Sequence, residues 1–182
     1  MMMPTRLSLL LLLSLVLLPS LTSAQVFYSK EEAFELAFGK DAVVEDVPVF
    51  LTDEQLAAVE KMAQAKVDSQ LFTFYEGKKN GQSLGYAAIE SHTVRSQPET
   101  ILIVLSPKGE LVRTEILAFH EPPEYMPPTQ WFALLNHRPV SDLRLNQGVD
   151  AISGATLSSR ASLDGIRKVM AVYAVAMVGR TH

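Results

Sequence analysis

Residues 100–119, TILIVLSPKGELVRTEILAF, contain two apolar, β-branched runs on either side of a short turn. The first run is Ile101 to Leu105 and the second is Val112 to Leu117, with Pro107 and Gly109 between them. Two such runs joined by a short segment containing Pro and Gly predict a β-hairpin. This hairpin is the clearest element of the chain and indicates an antiparallel sheet.

Further strand-like runs precede the hairpin. Leu71 to Glu76 and Leu84 to Ser91 are rich in apolar and aromatic residues, and the glycine-containing segment 77–81 separates them as a turn. Val43 to Leu51 is also apolar and β-branched but contains Pro48, which favours an edge strand or an extended connection. These runs together predict a meandering antiparallel sheet.

Helical patterns occur at both ends of the chain. Ser29 with Glu32, and Thr52 with Gln55, have the capping-box spacing that starts a helix, and each pair precedes a short amphipathic segment. Residues 157–178 carry apolar side chains at helical intervals and predict the longest helix, packed on the sheet. The predicted fold class is therefore α+β, an antiparallel meander sheet packed by a long C-terminal helix, with short N-terminal helices.

The first 24 residues have the three-part layout of a secretory signal peptide. Arg6 precedes an apolar run from Leu7 to Leu18, and the small residues Thr22, Ser23 and Ala24 follow. The apolar run is shorter than the roughly 20 residues of a membrane-spanning helix, so a retained anchor is the less favoured alternative. We predict a signal peptide at 1–24, an N-terminal helical segment at 25–70 and a second domain at 71–182, exported to the periplasm or to the outer face of the cytoplasmic membrane.

Composition excludes several classes of function. The chain has 182 residues, 16 Lys and Arg against 20 Asp and Glu, a net charge of -4 and no cysteine. Disulfides, thiolate metal sites and cysteine nucleophiles are therefore impossible. The basic residues do not cluster, so no nucleic-acid partner is predicted.

One short segment is a candidate binding site. Residues 150–159, DAISGATLSS, place small hydroxylated residues and a glycine where a polar connection enters the long helix. The start of a helix offers free amides and the positive end of its dipole, which suits a phosphate group. A helix cap formed by Ser153, Ser158 or Ser159 is an equally favoured interpretation of the same residues.

The segment resembles the flavinylation motif of the FMN-binding domain family, which occurs in the sodium-pumping NADH:quinone reductase and in the Rnf electron-transport complex. The family pattern is met at every fixed position by Asp150, Ser153, Gly154, Ala155, Thr156 and Ser158. The order of elements over residues 84–176 is also similar to the family. One departure is Glu121-Pro122-Pro123-Glu124, where the larger family members have a Glu-Thr-Pro-Gly-like segment.

The resemblance implies an extracytoplasmic electron-transfer flavoprotein. It implies that a separate flavin transferase attaches FMN covalently to Thr156 as a phosphoester, and that membrane electron-transfer proteins or cytochromes are its redox partners. Leu157 completes the set of cofactor-binding residues. No catalytic residue and no metal ligand is predicted, and an electron carrier is favoured over a substrate-specific enzyme.

Other interpretations remain beside this one. An exported binding or sensory module without covalent flavin is the first alternative, and a reductase with its own substrate pocket is the second. His120 and Glu121 are neighbours in the sequence, so a shared metal is disfavoured and a surface or partly packed histidine is favoured. Trp131 and Tyr125 are large enough to stack on a flavin ring, but aromatic core anchors are the favoured interpretation.

Overall fold

The computed structural model describes residues 25–179, so the predicted signal peptide lies outside the described residues. These residues form a six-stranded, wholly antiparallel sheet in the order β1-β6-β5-β4-β3-β2. The strands are β1 (Gln25–Val26), β2 (Val43–Phe50), β3 (Leu71–Lys79), β4 (Gln82–Thr93), β5 (Pro98–Leu105) and β6 (Leu111–Phe119). Strands β2 to β6 form the predicted meander, and β2 is an edge strand as Pro48 indicated.

The first two helices begin where the sequence places their caps. The α-helices are α1 (Lys30–Phe38), α2 (Asp53–Ala63), α3 (Thr129–Ala133) and α4 (Thr156–Ala176). Short 3-10 turns occupy Pro123–Tyr125 and Val140–Asp142. Ser29 with Glu32 caps α1, and Thr52 with Gln55 caps α2, each through reciprocal hydrogen bonds between side chain and main chain. The predicted capping boxes are therefore confirmed.

Both faces of the sheet are covered. Helix α4 packs on one face, where Ile166 and Val169 are almost fully buried against Ile101 and Ile103 of β5. Helix α1 packs on the other face, where Ala33 joins a smaller apolar cluster. The result is an α+β fold with the long C-terminal helix on the sheet, as predicted.

Residues 25–70 pack into the same hydrophobic core as the residues that follow them. It contributes two strands to the sheet, and Val49, Leu51 and Val59 are buried in the same cluster as Ile166. The buried Arg167 of α4 reinforces this contact, because its guanidinium donates to the main-chain oxygens of Ala63 (2.7 Å) and Leu143 (2.8 Å). The predicted boundary at residue 70 is therefore crossed by the core and by the sheet.

Between residues 25 and 179, no helix combines the length and the apolar character that a bilayer crossing requires.

Candidate functional site

Helix α4 begins without a side-chain cap. Ala155 occupies the N-cap position and offers no side-chain acceptor, so the alternative in which a serine of this segment caps the helix is wrong. The first amides of a helix have no acceptor within the helix, and they lie at the positive end of its dipole. The main-chain N–H groups of Thr156, Leu157 and Ser158 are therefore left to bind an anion.

A tight turn leads into this helix start. Gly154 has φ +87°, a left-handed conformation that glycine adopts without strain. The amide of Ala155 donates to Ile152 O at 3.1 Å, and Thr156 Oγ1 donates to the same oxygen at 3.1 Å. A Cβ on Gly154 would meet one atom within 4 Å, Glu124 O at 3.8 Å. The turn therefore fixes the Thr156 hydroxyl and leaves the space above the glycine open.

Contacts from distant segments hold the turn in place. Trp131 is buried, and its Nε1 donates to the main-chain oxygen of Asp150 at 3.0 Å. The indole ring also packs edge-on against Phe132, with 5.1 Å between the ring centroids. Trp131 is thus a core anchor, as favoured from the sequence, and it sets the position at which the motif begins.

The predicted cofactor-binding residues are contiguous but differ in exposure. Asp150, Ser153 and Gly154 are exposed and Thr156 is partly buried. Leu157 is an exposed apolar residue, with 49% of its surface accessible. Ala155 and Ser158 are buried, and Ser158 Oγ has no hydrogen-bond partner among the described residues. Donation from the Ser158 side chain to a phosphate stays a prediction, whereas its main-chain amide already belongs to the uncapped turn.

A buried polar network lies beneath the first turns of α4. Glu99 is fully buried, and its Oε2 contacts His92 Nε2 at 2.8 Å and accepts a hydrogen bond from Ser162 Oγ at 2.9 Å. Ser162 Oγ also lies 2.9 Å from Ser158 O. The network joins β4 and β5 to the amino-terminal half of α4. Sequence reasoning missed it, although His92 and Glu99 are directly paired across the β4–β5 hairpin.

Glu121 holds the loop between β4 and β5. Its Oε1 accepts main-chain hydrogen bonds from Arg95 (3.1 Å), Ser96 (2.7 Å) and Gln97 (2.9 Å). The amide of Ser96 is the main cause that lowers the pKa of Glu121 below its ordinary value, although burial acts in the opposite direction. Sequence reasoning considered His120 and Glu121 as a metal pair, disfavoured it, and missed this structural role of Glu121.

The loop that Glu121 holds reaches the segment beside the motif. The guanidinium of Arg95 lies 4.7 Å from the ring centroid of Tyr125, and Glu124 O is the atom nearest to the open side of Gly154. Over residues 25–179, no group of three or more His, Asp or Glu side chains is placed to hold a metal ion. The segments beside the motif are held by the Glu121 carboxylate and by the contact between Arg95 and Tyr125.

The fold and the site define an α+β protein with an uncapped helix start beside an antiparallel sheet. The family model of the FMN-binding domain matches residues 96–171, a range that includes the whole motif, Glu99 and Ser162 of the buried network, and Glu121. Over these residues the chain is similar to the FMN-binding domain family. A comparison with curated proteins gives no match.

Replacing Glu121 with glutamine tests its role in the loop. Because a hydrogen bond to a charged acceptor is stronger than one to a neutral acceptor, we expect the free energy of unfolding at pH 7 to fall by about 1.5 kcal/mol. The folded state lowers the pKa of this carboxyl, so its contribution is present above the ordinary value of 4.5 and is lost as the pH falls through the folded pKa. Urea unfolding of both proteins at pH 7, 5 and 3 should show the difference shrinking at pH 3.

Glu124→Gln is the matched control, since Glu124 is a neighbouring exposed carboxylate. It should change the free energy of unfolding by less than about 0.5 kcal/mol at each pH. A constant difference between wild type and Glu121→Gln across the pH range would contradict the assignment.

Proposed function

We propose that the protein is an extracytoplasmic electron carrier whose FMN is attached covalently to Thr156. The observation that carries the proposal is the uncapped start of α4, where a hydroxyl, free amides and an open glycine turn occur together. This arrangement lies within the matched FMN-binding domain. A phosphoester is the linkage that these groups suit best.

Several groups at the helix start would bind the phosphate, each in a different way. The amides of Thr156, Leu157 and Ser158 face an anion, and Gly154 lets it approach the main chain. Ser153 is exposed beside the turn and supplies a further hydroxyl donor. When bound, FMN supplies reversible electron transfer, while the protein determines its position and surroundings.

Attachment requires activation from outside the chain, because a threonine hydroxyl is a weak nucleophile at its ordinary pKa. In the proposed step, Thr156 Oγ1 forms a bond to the phosphorus on the riboflavin side of FAD. The pyrophosphate P–O bond breaks, AMP leaves, and the hydroxyl proton passes to a base of the flavin transferase. The protein gains the mass of one FMN less one water.

A covalent bond suits a carrier outside the cytoplasm. A flavin held only by affinity is lost when the surrounding solution contains little of it, whereas a short tether keeps the effective concentration in the millimolar range. Retention then does not depend on a deep enclosed pocket. The surroundings of the ring remain available for contact with a redox partner.

Replacing Thr156 with valine tests the covalent attachment. We expect wild-type protein co-produced with a flavin transferase to gain one FMN less one water, and Thr156→Val to gain nothing, because valine has no hydroxyl. Thr156→Ser keeps the hydroxyl and should be modified. Intact-mass spectrometry and peptide mapping measure the result. An unmodified wild-type protein would contradict the covalent attachment of FMN to Thr156.

Export is tested by the amino terminus of the purified protein. Cleavage after Ala24 would make Gln25 the first residue, with the protein in the periplasmic fraction of a bacterial host. Replacing Ala24 with a bulky residue such as tryptophan should leave the leader attached, because signal cleavage requires a small residue there. A full-length protein in the cytoplasmic fraction is the contrary outcome.

The electron-carrier role is tested with flavinylated protein. Chemical reduction should bleach its visible absorption, and an added one-electron acceptor such as a cytochrome should restore it. Thr156→Val, which lacks the flavin, should transfer no electrons in the same assay. A protein that stays colourless when the transferase is present supports the non-redox binding module instead.

A further inference from the structure

The sheet is split between β3 and β4, the two strands next to the edge strand β2 in the order β4-β3-β2. Strands β3 and β4 pair from Tyr75 opposite Ala87 to Lys79 opposite Gln82. Beyond Tyr75, residues 71–74 of β3 continue to pair with β2, and residues 88–93 of β4 continue to pair with β5. Over these residues β3 is paired only with β2, and β4 is paired only with β5. The edges of β3 and β4 that face each other are unpaired. We call this opening the β3–β4 cleft.

The alternation of hydrogen bonds identifies the open groups on β3. Thr73 lies opposite Pro48 of β2, and proline has no N–H to share, so the main-chain groups of Thr73 point away from β2. Leu71 has the same orientation, and its N–H and C=O are both bonded to Ser69 Oγ, at 3.0 Å and 3.1 Å. Thr73 thus offers an N–H and a C=O to the cleft, whereas the main-chain groups of Leu71 already have a partner.

The same alternation identifies the open groups on β4. Thr93 lies opposite Pro98, which again has no N–H, so the main-chain groups of Thr93 point away from β5. Ile89 and Ser91 share this orientation because they lie four and two residues before it. Among the described residues, no main-chain partner faces Ile89, Ser91 or Thr73 across the cleft.

A cavity of 420 Å³ occupies the cleft. Its lining includes Phe72 and Ala88 from the cluster beneath α4, and also Tyr75 and Ile89 from the cluster beneath α1. A continuous sheet would separate these two groups of side chains. The cavity therefore passes through the layer of the sheet, and its volume lies within the range of about 300–1,000 Å³ that ligand sites occupy.

The charged residues that line the cavity are Lys168, Glu90 and Asp68, which together carry a net charge of -1. Lys168 of α4 and Glu90 of β4 both line it and form an ion pair with each other. The unbonded main-chain donors and acceptors are then the groups best placed to recognise an occupant. Donors and acceptors spaced along two facing strand edges match the main chain of an extended polypeptide.

We propose that the β3–β4 cleft binds an extended segment of a partner protein, which enters the sheet as an added strand. The segment would pair with Thr73 on one side and with Ile89 and Ser91 on the other. Residues facing α4 would be apolar, because Ala88 and Val169 line that side. Lys168 lies 12 residues after Thr156, about 18 Å along the helix, so this site is separate from the proposed attachment point of the flavin.

Peptide selection tests the proposal. A random heptapeptide library displayed on phage is selected on the purified exported protein, and an enriched peptide is synthesised twice, with a free main chain and with alternate N-methyl groups. We expect the free peptide to bind and to slow amide hydrogen exchange at Thr73, Ile89 and Ser91. We expect N-methylation to weaken binding at least tenfold, because it removes donors from the added strand.

Two variants at one position provide matched controls. Thr73→Pro removes the N–H that faces the cleft and no hydrogen bond to β2, and we expect it to bind the peptide at least tenfold more weakly. Thr73→Val keeps the N–H and should bind within twofold of wild type. The N-methylated peptide tests the same hydrogen bonds on wild-type protein if Thr73→Pro does not fold.

The proposal is overturned if no peptide is enriched above a carrier-protein control. It is also overturned if enriched peptides protect amides elsewhere, or if they bind equally well with alternate N-methyl groups. None of these outcomes bears on flavin attachment, because that attachment is measured by mass at Thr156.

Discussion

The burial of α4 against the sheet is the constraint on which the site depends. Leu163, Ile166 and Val169 form a continuous apolar stripe, and about 25 cal/mol per Å² of buried apolar surface stabilises this contact. A helix held along this stripe cannot slide by a residue without exposing it. The position of its first turn, and therefore of Thr156, is fixed by contacts that lie about two to four turns away from the threonine.

The polar groups beneath α4 fix the position of the helix on the sheet more narrowly than the apolar contact does. Apolar side chains tolerate small shifts, whereas a fully buried Glu99 must keep its hydrogen bonds, because an unpaired buried carboxylate is strongly unfavourable. The contacts of Glu99 with His92 and Ser162 therefore set the register of α4 on β4 and β5. At the same end of the β4–β5 hairpin, Glu121 sets the shape of the connecting loop.

The parts of the fold that sequence predicts are those encoded locally. The capping boxes, the hairpin turn at residues 106–110 and the motif at residues 150–158 each lie within one short segment, so their residues and their geometry occur together. The network around Glu99 and the loop held by Glu121 join residues 7 to 63 positions apart, and periodicity carries no such information. The cleft was missed for another reason, since β3 and β4 are good strands by composition and their separation depends on which neighbour each one pairs with.

The turn at Gly154 is defined by segments far from it in the chain. The oxygen of Asp150 is held by Trp131, and Glu124 O borders the glycine. A newly made, still extended chain has the same residues at 150–158 but not this shape. If the proposed flavin transferase recognises the shape, it acts after tertiary structure has formed, and the yellow colour of a flavinylated protein would then report on completed folding as well as on cofactor content.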